Sequence, residues 1–179
     1  LGFSISTKQA VLPLILERFS VSAIIVLVAV FLATLIAVPV GLIAAWKQNS
    51  ALDLGLVTTA TLLLSIPSFW LATLLLLFTS RVFGWVPPLN YTPIYENPIE
   101  NLSQFILPAL SISVFTMAIV MRMVRATMLE VLGQDYVRTA RAKGAPEGQV
   151  MRSHILRNAM LPVVTLVGMD IGILLGGAI

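Results

Sequence analysis

SVSAIIVLVAVFLATLIAVPVGLIAAW, residues Ser20–Trp46, contains no charged side chain. An α-helix needs roughly 20 residues to cross about 30 Å of hydrocarbon, and this stretch exceeds that. Outward from it, residues 54–80 and 101–121 are equally free of charge. The 179 residues are 58% hydrophobic and 11% charged, and mean hydropathy is +0.98. Soluble domains carry about 25% charged residues, so an ordinary soluble enzyme is excluded. Disorder is excluded too, because disordered chains are rich in charge and poor in apolar residues. The fold class is all-α, a polytopic transmembrane helical bundle forming one domain over residues 1–179.

The expected spans cover about 20–46, 56–80, 102–121 and 159–179. Residues 8–18 mix Lys8, Glu17 and Arg18 with apolar residues, as in a short interfacial helix leading into the first span. Trp46 and Lys47 mark its water boundary, and a short link, 47–53, follows. Pro67 should kink the second span. Pro87, Pro88, Pro93 and Pro98 exclude a regular helix from the loop at 81–101.

Residues 122–158 hold Arg122, Arg125, Arg138, Arg141, Lys143, Arg152 and Arg157, seven of the eleven basic residues. The positive-inside rule puts this loop in the cytoplasm and 81–101 outside. The same rule explains the net charge of +3 without any nucleic acid partner. With no cysteine there is no disulfide or thiolate chemistry, and His154 alone cannot build a metal site. No signal-peptide pattern opens the chain. Because it starts at Leu1 and stops at Ile179 within an apolar run, it reads as a piece cut at both ends.

Within the basic loop, Asp135 is placed to cap a short helix through Lys143 by accepting from Val137 or Arg138 N–H. Gly144 suits the left-handed position that ends it. Pro146 suits the first turn of a second helix, about 146–158, and Pro162 should bend the chain at the membrane surface. Two readings stand here: a solvated basic loop, or short rigid helices that dock on another protein.

Asp135-Tyr-Val-Arg-Thr-Ala-Arg-Ala-Lys-Gly144, followed by Arg157-Asn-Ala-Met-Leu-Pro162, closely resembles the coupling (EAA) loop of binding-protein-dependent ABC importer permeases. The branch resembled is the dipeptide/oligopeptide/nickel one. Arg138-Thr139-Ala140 stands where the general pattern has Glu-Ala-Ala, and Gly144 and Leu161-Pro162 match it. The absent glutamate departs from the general pattern and resembles this branch. The likeness continues in Ser65-Ile-Pro-Ser-Phe-Trp70, Leu107-Pro108-Ala109 and Gly168 through Gly176-Gly177.

The resemblance implies a type I permease fold in a bacterial-type inner membrane, with the family's first and last spans missing. It implies an ATP-driven importer subunit, most simply for peptides, with nickel or another small solute as the alternative. Partners would be cytoplasmic ATP-binding subunits, a second permease subunit, a substrate-binding protein and the bilayer. Asp135, Tyr136, Arg138, Thr139, Ala140, Arg141, Lys143, Gly144 and Pro162 would couple to the ATPase. No Gly-x-x-x-x-Gly-Lys-Ser/Thr phosphate loop occurs. The chain itself would therefore be no enzyme and need no cofactor.

Asp170 is the only acid well inside an expected span. Either it lies on the substrate pathway or it ties helices together by hydrogen bonding. Gly168, Gly172 and Gly176 recur every four residues, a stripe that suits close helix packing or a gap in the permeation path. Trp85 fits an interfacial anchor, while Tyr91 and Tyr95 suit either a binding-protein contact or the interface. Met117, Met121, Met123 and Met128 fit packing or lipid contact better than soft-metal binding. A secondary transporter using Asp170 as its coupling acid, and an intramembrane enzyme, are rivals. The first would need further intramembrane charges and the second paired catalytic groups.

Overall fold

The computed structural model describes residues 2, 8, 10–88 and 90–177. All regular elements among them are helical: α1 (Val11–Trp46), α2 (Ala51–Leu64), α3 (Ser68–Phe83), α4 (Pro98–Leu132), α5 (Asp135–Ala142), α6 (Glu147–Gln149), a π-helical segment (Val150–Leu156) and α7 (Arg157–Gly177). The expected interfacial helix and first span are one continuous helix, α1. Residues 3–7 and 9 lie outside the described residues. Glu17 lies within α1, but its side chain is not among those described.

α4 is the central helix and packs against α1, α2, α3 and α7. Against α1 the packing rests on a stripe of small residues four apart, Ala29, Ala33, Ala37, Gly41 and Ala45, all buried. Lipid tails are as apolar as leucine, so helices in a bilayer associate where small side chains let backbones approach. A Cβ on Gly41 would lie 2.8 Å from the Met121 carbonyl oxygen and 2.8 Å from Val124 Cβ. The glycine stripe of α7 does no such packing. A Cβ at Gly168, Gly172 or Gly176 would meet nothing within 4 Å.

α4 begins at a built N-terminus. Asn97 accepts from Glu100 N–H at 3.2 Å, and Pro98 occupies the first helical position. The preceding segment folds back on this end. Asn101, 1% exposed, donates to the Thr92 carbonyl at 2.8 Å, and Gln104 donates to the Asn90 carbonyl at 2.6 Å. Tyr91 also stacks obliquely on Phe105, so Tyr91 is half held by the fold whereas Tyr95 is 82% exposed. At its other end α4 runs to Leu132, well past Met121, so the first part of the expected basic loop is a helical extension of the third span.

The second span is not a kinked rod. α2 ends at Leu64, α3 starts at Ser68, and their axes differ by 99°. Pro67 is extended (φ −61°, ψ 134°) and is the residue from which α3 starts, rather than lying inside a helix. The pair nevertheless crosses the bundle. The C-terminal parts of α1 and α4 meet at Gly41 and Val124, and Trp46 and Met128 line one cleft farther along, so α1 and α4 run parallel. Trp46 and the start of α4 therefore lie at opposite ends, and α2–α3 must connect them. Asp53 contacts Arg125, while Ser65 shares a cleft with Thr116, so α2 runs antiparallel to α4. Among the described residues α1, α4 and α7 are long and apolar enough to cross a membrane, and the bent pair α2–α3 passes the same test when its two halves are taken together.

Candidate functional site

The basic end of the bundle is built around three fully buried side chains, Val137, Val150 and Ile155, one from α5 and two from the π-helical segment. They join α5 to the core that Val124 and Met128 of α4 and Ala159 of α7 also enter. Met121 and Met128 are buried here and Met117 and Met123 pack against the same core, which accounts for the methionines.

α5 ends in a complete Schellman turn. Gly144 N–H donates to the Arg141 carbonyl at 2.9 Å and Ala145 N–H to the Ala140 carbonyl at 3.3 Å, with Gly144 at φ +80°. At its start Asp135 does not cap. Gln134 is the N-cap and makes no side-chain cap bond, and Asp135 sits in the first turn. There its charge faces the positive end of the helix dipole and lies 3.6 Å from Arg138. The offset is one residue, because Gln134 already holds the extended conformation that a cap requires.

Two ties fix α5 to α6 and α7. Arg141 donates to both carboxylate oxygens of Glu147, at 2.6 and 3.1 Å, and Asn158 donates to the Tyr136 hydroxyl at 3.0 Å. The Arg141 hydrogen bonds hold the Glu147 carboxyl below its ordinary range. Both groups lie outside the apolar segments and remain ionised at neutral pH. Thr139 Oγ1 donates to the Asp135 carbonyl, and Ala140 packs against the core. Asp135 and Arg138 side chains are 97% and 73% exposed, and Tyr136, Thr139, Lys143 and Gly144 are exposed beside them.

The expected second helix, 146–158, takes another form. Pro146 precedes a three-residue α6, which widens into the π-helical turn. Pro162 causes no break, and α7 continues through it. The wider π segment lies just upstream, where the chain turns from the loop into the span.

Sequence reasoning missed the strongest polar contact. Asp53, 3% exposed, accepts from Arg125 Nε at 2.6 Å and Nη2 at 2.7 Å, a bidentate pair between α2 and α4. Its Oδ2 also accepts from Asn49 N–H, and Ser50 caps α2 by accepting from Asp53 N–H. The signal was an acid three residues after a serine at the start of an apolar run, a capping arrangement that needed no partner to be noticed.

Deeper in the bundle, the break in the second span opens a cleft of about 340 Å³ lined by Ser65, Pro67, Ser68, Phe115, Thr116 and Leu174, among others. Thr116 Oγ1, in a residue 1% exposed, donates to Asp170 Oδ2 at 2.7 Å. Among the described residues no three His, Cys, Asp or Glu side chains group to hold a metal.

The pattern defining the binding-protein-dependent transport system inner membrane components matches residues 37–179. A protein of Brucella suis, provisionally named as a peptide transport system permease, is 38% identical over the whole chain. The oligopeptide transport system permease of Bacillus subtilis is 38% identical over 99% of it. The dipeptide transport system permease of Escherichia coli K12 is 36% identical over all of it. The chain spans 57%, 57% and 60% of the length of these three relatives.

Proposed function

We infer the function from one premise: this chain belongs to the family of binding-protein-dependent transport system inner membrane components. It forms the membrane path of an ATP-driven importer and performs no chemistry itself. Its cargo is di- or oligopeptides, the class carried in the names of its relatives. It pairs with a second permease subunit, receives cargo from a substrate-binding protein and takes energy from separate ATP-binding subunits in the cytoplasm.

The observation that carries this reading is α5, an exposed short helix rigidly joined to two spans. Val137 roots it in the core, the Gly144 turn reverses the chain, and Arg141–Glu147 and Tyr136–Asn158 lock it to the segment entering α7. Such a helix suits a groove in a partner, with Asp135, Arg138, Thr139 and Lys143 facing it and Ala140 and Pro162 serving the scaffold behind. Closure of an ATPase dimer would then move α5, α4 and α7 as one body and switch the pore between inward- and outward-facing states.

The test is uptake into proteoliposomes holding the full-length permease and its partners. We expect ATP-dependent uptake of a dipeptide but not of nickel. Gly144→Pro should abolish it while the complex still assembles, because proline cannot adopt φ near +80° and lacks the N–H given to Arg141. Uptake driven by an ion gradient without ATPase would overturn the reading. Nickel uptake in place of dipeptide would move the cargo class.

A further inference from the structure

Asp170 is the one charged side chain in the four apolar stretches 19–46, 54–80, 101–121 and 158–179. A carboxylate at membrane depth is costly unless it faces water or a cation. Its one side-chain hydrogen bond among the described residues comes from Thr116, and no Lys or Arg pairs with it there. An ionised carboxylate accepts about four hydrogen bonds, so most of its capacity is unused. Asp170 is only half-buried. Thr116 lines the cleft at the α2–α3 break, and so does Leu174, one helical turn beyond Asp170. Asp170 is not itself a lining residue; its bond from Thr116 and its place one turn before Leu174 set it directly behind the wall of a cleft that exists because α2 and α3 part.

We propose that Asp170, oriented by Thr116, is the recognition point for a protonated primary amine on the transported solute, the N-terminal ammonium of a peptide held in this cleft. The inference rests on the importer reading above. An ammonium offers three donors and no acceptor. Asp170 can take one of them. The hydroxyls of Thr116 and Ser65 at the cleft keep free lone pairs while their own protons are given elsewhere, Thr116 to Asp170 and Ser65 to the Thr61 carbonyl. A divalent metal would ask for several charged or nitrogen ligands, which one carboxylate does not supply. A single contact of this kind also suits a transporter, where the site must release what it binds.

A helix tie alone would be served as well by asparagine, whose carbonyl oxygen accepts from Thr116 in the same place. That separates the two roles. The experiment is equilibrium binding of alanylalanine and of N-acetyl-alanylalanine to the full assembled complex without its substrate-binding protein, followed by dipeptide uptake with all partners present. In the wild type the free amine should bind at least about tenfold more tightly, the range expected for a hydrogen bond to a charged group. Asp170→Asn should erase that preference and lower dipeptide uptake by a similar factor, and Asp170→Glu should restore part of both.

Equal binding of the two peptides by the wild type overturns the proposal without reference to any variant. So does normal preference and uptake in Asp170→Asn, which would leave Asp170 as a helix tie. Wild-type complex that takes up no dipeptide under ATP would instead bring down the peptide cargo of the importer reading, and this inference with it.

Discussion

At Gly41 the backbone of α1 lies so close to α4 that even a methyl group would fall 2.8 Å from the Met121 carbonyl oxygen. That oxygen belongs to a helix backbone and cannot rotate away, so the two helices must separate. Gly41→Ala should destabilise the detergent-solubilised protein by about 1–3 kcal/mol, the usual cost of overpacking. Gly172→Ala, where a Cβ meets nothing within 4 Å of this chain, should leave the thermal unfolding of the isolated subunit unchanged. Equal effects would mean that the α1 stripe is not what holds the pair. The two stripes have the same spacing in sequence, and only contact across the chain distinguishes them. The same holds for Asp170. Its isolation among apolar residues was legible, but its donor, Thr116, lies 54 positions away, and no local pattern links them. Gly144 was legible because its requirement is local: a left-handed residue after a short helix.

Between elements, the pair of Asp53 and Arg125 ties the start of α2 to the basic end of α4. Removing one member of a buried pair leaves the other without its partner and costs about 3–5 kcal/mol. The Arg125 side chain is 25% exposed, so water recovers part of that loss, and Asp53→Leu should cost near the lower end, about 3 kcal/mol. The double variant Asp53→Leu/Arg125→Met should recover most of it, because apolar replacement of both partners removes the unmet charge. Chemical denaturation of the wild type and the two variants measures the difference. A double variant as unstable as the single one would show that the pair itself is not the cause. At this scale the apolar blocks revealed that helices exist and roughly where they lie. They did not reveal how helices join. Pro67 was legible as an interruption, but a 99° turn depends on α3, which buries no residue in this chain, leaving the direction α2 set. The π-helical turn at Val150–Leu156 is equally silent, since one extra residue per turn leaves no mark on composition.

For the whole molecule, the parallel run of α1 and α4 fixes the parity of the crossings. Trp46, Arg125 and α5 share one end, and the segment between α3 and α4 lies at the other. If the bent pair α2–α3 returned to its starting side, α4 would begin beside Trp46 and run antiparallel to α1. The contacts of Gly41 with Val124 and the cleft shared by Trp46 and Met128 exclude that arrangement. The positive-inside rule then assigns the proposed orientation, with α5 in the cytoplasm. This chain has no cysteine, so single cysteines report sidedness directly once any others in the full-length permease are removed. Tyr95 is 82% exposed and the Arg138 side chain 73% exposed, so neither site is hidden by the fold. In intact cells a membrane-impermeant maleimide should label Tyr95→Cys and spare Arg138→Cys until the cells are lysed. Labelling of both from outside would mean that the broken pair does not cross. Labelling of Arg138→Cys alone would invert the orientation and remove α5 from reach of any cytoplasmic ATPase.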